Sequence, residues 1–404
     1  MKSMSSSDLF ILVPCNTITG FDNLKKLSQT KMNVYAKSYL DNLSIITKTE
    51  LVDRVSKSFD RYYLGEYDLA ILSDEFNEKL EEKHIIDSVK ANLFITACER
   101  NKLAVLTLVI CDYSNNSTNI LDQITREELA FKTEKLAYLE DFLLDNFQII
   151  KNGEAKTCLI QNQKSDIKDV LYYMANETND SGLVETKIIS EKYKKFSLDN
   201  VAVYDFSDIY VSESVVYQVI NDENIQNKLQ FEGLLIFIVE LLVMKLSAIY
   251  RTNNKVQKSL EEDEGINVKE YEKLSNEFAN TLSIWQINIY RYKGAQTIAD
   301  TISERFEIDK VRENYKDNDE MLQNIINTRN VKNAIKESNI LFYVAILLFI
   351  KDFFIIVRSI FLFFSGTHEF SSGDVFGLST SFVTLLIVLF IYHSRFKNLG
   401  KRRS

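Results

Sequence analysis

Residues that break regular structure are scarce in this chain. It has one proline, Pro14, and 11 glycines among 404 residues, so long elements, usually helices, are expected. No two glycines are spaced as G-x-G, so the sequence contains no glycine-rich phosphate-binding motif of that type. The net charge of −9 leaves no overall electrostatic case for binding nucleic acid.

Residues that commonly carry catalysis or bind metals are also few. The four cysteines show no CxxC spacing, which is typical of reduced, mostly buried thiols in an intracellular domain: Cys15, Cys98, Cys111 and Cys158. The three histidines, His84, His368 and His393, lie far apart in sequence. We therefore predict no enzyme, no catalytic residue, and no metal-ligand set that the sequence alone defines. The N-terminus has no signal-peptide pattern, so we expect the body to stay on the side where it is made.

Residues 1–225 alternate strand-like and helix-like patterns, which predicts an α+β (α/β-like) cytoplasmic domain. The short apolar run of residues 10–13 ends at Pro14. Two β-rich runs, 93–98 and 103–111, predict an antiparallel hairpin. Residues 126–147 carry apolar residues at helical spacing, which predicts a helix there. Strand character returns at 201–219.

Residues 226–336 are helical in pattern and are predicted to form a stalk region. Residues 234–246 are densely apolar, but Glu240 and Lys245 interrupt them, which favours a buried helix over a membrane span. No proline follows, so one very long helix can run into the membrane without interruption.

Residues 337–395 predict a transmembrane hairpin with spans at about 340–364 and 375–392. The link between the spans has no Lys or Arg, whereas basic residues precede the first span and fill the tail, residues 396–404. This bias predicts a multi-pass protein of the inner (cytoplasmic) membrane with both termini in the cytoplasm.

The first span carries charges that need a polar environment. Lys351 and Arg358 are seven residues apart and share one helix face. Asp352 points about 100° away from Lys351 and is a candidate for pairing between subunits. One interpretation is a water-filled pore lined by first spans of an oligomer, and the other is an interhelical salt bridge that only holds subunits together. In the pore interpretation, the candidate lining residues are Leu347, Lys351, Ile355, Arg358 and Leu362.

This layout resembles the CorA family of divalent-cation channels: an α/β cytoplasmic domain, a very long helix leading into the first span, a short outer link, a second span and a basic tail. The resemblance covers residues from about 226 to the end, and the N-terminal domain only by its α/β character. It implies a stalk helix from about residue 309 to 364 that leads into the first span, and a homopentamer whose first spans line the pore.

The CorA signature is Gly-Met-Asn at the outer end of the first span, where it implies a hydrated Mg²⁺ ion at the pore mouth. This chain has Gly366, Thr367 and His368 there, followed by Glu369, so the pore-mouth candidates retain only the glycine. The basic residues in the span oppose divalent cations, whereas Glu369 and Asp374 attract them. The sign of the conducted ion stays open.

Divergent CorA-like proteins without this signature also occur beside type III CRISPR systems, as membrane effectors controlled by a nucleotide messenger. We therefore expect an oligomeric ion channel gated by its cytoplasmic domain, with a role in antiviral CRISPR defence. Its partners would be the lipid membrane, other copies of itself and a small-molecule or nucleotide ligand, without direct nucleic-acid binding. The only candidate cofactors are a divalent cation such as Mg²⁺ or a nucleotide-type ligand. The alternatives are a magnesium transporter and a non-conducting membrane-tethered signalling scaffold.

Overall fold

The structure of the protein, a computed structural model, describes most of the chain. The described residues are 7–51, 59–72, 85–98, 102–111, 120, 123–124, 128–133, 136–161, 199–204, 207–212, 214–220, 225–261, 273, 276, 289–366, 372–373, 375–377, 379–380 and 382–383. For some helical residues among them only the backbone is described.

The described residues form a mixed α/β structure. Its strands are β1 (Ser7–Thr17), β2 (Asp60–Leu72), β3 (Ile85–Cys98), β4 (Leu103–Ile110), β5 (Ala130–Lys132), β6 (Leu136–Tyr138), β7 (Ile149–Lys151), β8 (Lys156–Gln161), β9 (Asp199–Tyr204), β10 (Ser207–Val211) and β11 (Val215–Ile220). Its helices are α1 (Asp22–Lys31), α2 (Val34–Glu50), α3 (Leu139–Phe147), α4 (Ile225–Glu261), α5 (Lys293–Arg305) and α6 (Ile308–Phe364).

All described strands join one large sheet in the order β6-β5-β2-β3-β4-β1-β8-β11-β10-β9, with β7 pairing β1 beside β8. The pairs are antiparallel except β8 with β11, which are parallel. The predicted α+β character is confirmed at this level.

Strand β1 lies inside the sheet and is covered on both faces, which explains its continuous apolar run. Leu9, Ile11 and Val13 contribute to one buried cluster, with α1 and α3. Phe10 and Leu12 contribute to another, with α2, α4 and α5. Successive side chains of a strand point to opposite faces, so a strand between two cores needs apolar residues at every position.

Pro14 does not end the first strand, so that prediction is wrong. β1 continues to Thr17, and Pro14 stands opposite Val105 of β4. On its other side, Pro14 lies between the residues paired with β8 and those paired with β7. Its carbonyl accepts a hydrogen bond from the Asn152 backbone N–H at 2.8 Å. A proline is tolerated here because the ladder on that side is interrupted between two strands.

The predicted hairpin is confirmed, since β3 and β4 pair antiparallel from Asn92↔Val109 to Cys98↔Leu103. The predicted helix over residues 126–147 is wrong in its first half. β5 occupies Ala130–Lys132, β6 occupies Leu136–Tyr138, and among the described residues of this range the helix is limited to α3. Phe131 pairs with Leu69 on β2 and is fully buried, so pairing with the sheet outweighed the helical spacing of the apolar residues.

α4 and α6 follow the predicted pattern, whereas most of the predicted second span, residues 375–392, lies outside the described residues. Residues 234–246 lie within α4 and are mostly buried, as predicted. α6 is continuous over 57 residues and starts one residue before the predicted position. It is separated from α5 by Phe306 and by Glu307, whose φ is 51°. Ile308 and Tyr315, in the first turns of α6, are buried in the same cluster as α2, α4 and α5.

Contacts divide the chain into two compact units, Met1–Glu320 and Met321–Ser404. The first therefore contains the sheet, α4, α5 and the beginning of α6. The finer predicted division into 1–225, 226–336, 337–395 and 396–404 stays a prediction.

The environment of the cysteines gives a first prediction. Cys15, Cys98 and Cys158 are buried free thiols, whereas Cys111 is exposed. Burial raises the pKa of the Cys15 thiol to about 12 and raises that of Cys158 as well. The thiolate is the reactive form, so in the native protein we expect one fast-reacting thiol with a colorimetric disulfide reagent, and four after denaturation. Cys111→Ser should abolish the fast phase, and two or more fast thiols would contradict this packing.

Candidate functional site

Among the described residues, two helical segments are long and apolar enough to cross a membrane. They are Glu232–Asn254 within α4 and Ala334–Phe364 within α6. Length and composition do not separate a core helix from a span, because both are apolar. Their surroundings differ: most of the α4 segment is buried inside the protein, and none of the most apolar part of the α6 segment is.

A buried ion pair fixes α4 against the sheet. The Arg61 guanidinium on β2 contacts one carboxylate oxygen of Glu240 through Nη2 at 3.1 Å and Nε at 3.3 Å. The Arg61 side chain is 8% exposed and that of Glu240 is 0% exposed. The guanidinium carbon also lies 5.4 Å from the centre of the Phe237 ring, one turn earlier on α4. Glu240, one of the charges that interrupt the apolar pattern of α4, is therefore accommodated inside a folded core.

Neighbouring hydroxyl groups complete this network. Arg61 Nη1 donates to Thr47 Oγ1 on α2 at 2.8 Å, and Thr107 Oγ1 on β4 donates to the second Glu240 oxygen at 3.2 Å. Burial, and then the nearby Glu240 charge, raise the pKa of the Tyr39 hydroxyl on α2 well above its usual value. Four elements thus meet at one carboxylate, and this network is a structural one that orients α2 and α4 on the sheet.

The α6 segment has the opposite surroundings. Most of its described apolar side chains are exposed, namely Ile340, Leu341, Tyr343, Val344, Ile346, Leu347, Leu348, Ile350, Phe353, Phe354, Ile355, Val357, Phe361, Phe363 and Phe364. An exposed apolar surface of this extent marks a site of contact with other proteins or with a membrane.

The exposure along α6 is nevertheless unequal around the helix. Each residue turns an α-helix by about 100°. Ser338, Phe342, Ala345 and Phe349, which share one side, are half-buried. On the opposite side, Lys351 and Arg358 are exposed, together with several strongly exposed apolar side chains. Those side chains include Leu347 at 66%, Phe354 at 67% and Phe361 at 73% exposure. The two basic residues therefore lie near the middle of the exposed face of α6, called the uncovered face below.

The other predicted lining residues lie on or beside this uncovered face. Ile355 is 54% exposed, whereas Leu362, near the helix end, is half-buried. The backbone of Asp352 is helical, but its side chain lies outside the described residues. The structure thus places Leu347, Lys351, Ile355 and Arg358 together on one exposed surface.

At the predicted pore mouth, α6 ends close to a glycine. Gly366 has a left-handed φ of 71°, and its N–H donates to the Phe363 carbonyl at 3.1 Å. A glycine is favoured there because an L side chain rarely adopts this conformation. Thr367, His368 and Glu369 lie outside the described residues. Within the described ranges, no group of three His, Cys, Asp or Glu residues is arranged to hold a metal ion.

Sequence reasoning missed Arg61. The signal was Glu240 itself, because an acidic residue in a helix predicted to be buried requires a partner. The partner lies 179 residues away, and no local pattern marks it.

Comparison with known proteins adds no relative: no family model, no curated protein and no solved structure matches this chain.

The buried ion pair gives a second prediction. Glu240→Ala should leave the Arg61 charge buried and unpaired, and should lower the free energy of unfolding by about 3–5 kcal/mol. The double variant Arg61→Met, Glu240→Leu should recover most of that loss, because an apolar pair of similar volume is often neutral in such positions.

Thermal and denaturant unfolding of the purified full chain measure both variants. Glu66→Gln is the matched control, since Glu66 pairs with Lys90 on the surface at 2.6 Å, and we expect little change in Tm. A Glu240→Ala variant as stable as the control would show that the pair does not hold α4.

Proposed function

We propose that this chain is a CorA-like oligomeric ion channel of the inner membrane, gated by its cytoplasmic domain, with both termini in the cytoplasm. The observation that carries the proposal is the face of α6 that centres on Lys351: apolar, uncovered and charged at its middle. The proposed membrane, pore and gate each depend on a different part of that observation.

The membrane supplies the cover that α6 lacks. The segment Ala334–Phe364 has 31 residues, or about 46 Å of helix, and a bilayer core needs only about 20 residues. Its backbone is hydrogen-bonded internally, as a lipid environment requires. Exposing so many aromatic and aliphatic side chains to water would be strongly unfavourable.

The depth of Lys351 argues for an oligomer. Lys351 lies two residues from the middle of Ala334–Phe364, within about 3 Å along the axis. A charge at that depth in lipid costs several kcal/mol, and the lysine side chain is too short to reach either surface. Lys351 should therefore face water or other copies of the chain. Two spans cannot enclose water alone, so a pore requires a symmetric assembly, which the CorA resemblance makes a homopentamer.

The beginning of α6 gives the gate a physical basis. Ile308 and Tyr315 are buried in the cluster that also contains residues of β1, β8 and α4. A rearrangement of the body would therefore act directly on the first turns of the helix. Control by a nucleotide messenger in antiviral CRISPR defence extends this proposal and rests on the family resemblance alone.

The second candidate is the non-conducting scaffold, in which Lys351 or Arg358 pairs with Asp352 of a neighbouring subunit. The presence of both charge signs within one helical turn favours it. The two candidates differ in what the removal of a charge does to assembly.

The third prediction therefore concerns assembly. Purified protein in mild detergent should have a mass near five protomers, and Lys351→Gln should leave that mass unchanged if the residue faces a pore. In the scaffold, Lys351→Gln would leave the Asp352 carboxylate without a counter-charge and weaken the oligomer, and adding Asp352→Asn would partly restore the oligomer.

Lys336→Gln, which removes the same charge ahead of the predicted span, is the matched control for this measurement. A monomer that still conducts ions would refute the oligomeric pore.

The fourth prediction concerns the gate. A ligand that binds the folded body stabilises it by mass action, so its Tm should rise with ligand concentration. We expect such a rise for a nucleotide-type compound when the full-length protein is screened against nucleotides, their conjugates and Mg²⁺. An unchanged Tm with every member of this set would remove the support for ligand gating.

A further inference from the structure

We infer that the pore passes small anions, and that Lys351 is the residue that selects them. This inference rests on the proposed function, because it assigns an ion class to the same α6 face. It differs from the ordinary activity of a divalent-cation channel, and it follows from the side of α6 on which the charges lie.

The uncovered face of α6 carries charges of one sign. Lys351 and Arg358 are exposed near its middle, and the described side chains of this face between residues 340 and 364 include no carboxylate. Position 352 is turned about 100° from Lys351, toward the half-buried side of the helix. A lumen formed by the uncovered faces of several copies would therefore contain rings of positive charge.

Depth separates the roles of the two basic residues. Lys351 lies close to the middle of Ala334–Phe364, where the surrounding lipid screens charge least. Arg358 lies six residues before the end of α6, about 9 Å along the axis, and is therefore much closer to the predicted outer end of the span. The ring at Lys351 should set the central barrier, and the ring at Arg358 should contribute mainly at the mouth.

The neighbours of Lys351 strengthen its effect. Leu347, Phe354 and Ile355, within about one turn on either side, are apolar and exposed on the same face. Low-dielectric walls concentrate the field of a charge along a narrow pore. A cation crossing this ring is repelled by every copy at once, whereas an anion is attracted, which is how basic rings select anions.

Acidic residues outside the span do not reverse this effect. Glu369 and Asp374 follow the end of α6 in the sequence, more than ten residues beyond Lys351. Charges in water at physiological salt are screened within about 8 Å. These carboxylates can raise the cation concentration near the mouth, but they do not neutralise the ring at the centre.

The experiment is a reversal-potential measurement on the purified full-length protein in planar bilayers, with a tenfold KCl gradient. We expect the reversal potential to lie closer to the equilibrium potential of chloride than to that of potassium. Lys351→Gln should lower the chloride-to-potassium permeability ratio roughly tenfold or more, and Lys351→Glu should invert the preference. Arg358→Gln should have a smaller effect, and Lys336→Gln should have none.

Lys351→Arg keeps the charge and should keep the chloride preference, which separates loss of selectivity from loss of assembly. A wild-type reversal potential closer to the equilibrium potential of potassium would overturn the inference of anion selectivity but not the proposed channel function. An unchanged chloride-to-potassium permeability ratio in Lys351→Gln, with an intact oligomer, would also overturn the inference. An intact wild-type oligomer that carries no current under any tested ligand would instead overturn the proposed channel, and the inference with it.

Discussion

An apolar helix surface has to be covered, and this chain contains two such surfaces with different covers. The α4 surface is covered by the sheet and by α2, and it contributes to the main buried cluster of the first unit. The α6 surface, from Ile340 to Phe364, is covered on one side only and weakly. The proposed membrane location follows from this difference, because the hydrophobic effect acts on both helices alike and, within the described residues, only the α4 surface is covered by protein.

The charges within the two helices lead to the same distinction. Glu240 in α4 has its counter-charge in Arg61 and a further donor in Thr107, so its burial is compensated within the fold. Lys351 in α6 is exposed, and the described side chains on its face of the helix include no carboxylate. A charge without a protein partner needs water, and on an apolar helix at mid-membrane depth, water requires a lumen between copies. The oligomer is thus proposed from Lys351, and the ion class from the face on which it lies.

The sequence predicted those features that local spacing determines. The β3–β4 hairpin followed from two β-rich runs, and the long α6 helix followed from the lack of proline after Pro14. Prediction from the sequence failed where pairing between distant residues determines the local structure. Ala130–Lys132 resembles part of a helix but pairs with the edge of β2. Likewise the Arg61–Glu240 contact joins residues that no periodicity relates. The shared stripe of Lys351 and Arg358 was predictable from helix geometry, but which side of α6 is covered was not, because it depends on tertiary packing.

The crossing of the membrane by α6 is the claim on which the pore, the gate and the selectivity all depend. The most direct measurement is labelling of a Thr367→Cys variant in intact cells with a membrane-impermeant maleimide. The exposed native Cys111 serves as the internal cytoplasmic control. The account predicts that Cys at 367 is labelled from outside, while Cys111 is labelled only after lysis. If position 367 also remains unlabelled until the cells are lysed, α6 does not cross the membrane and the account is wrong.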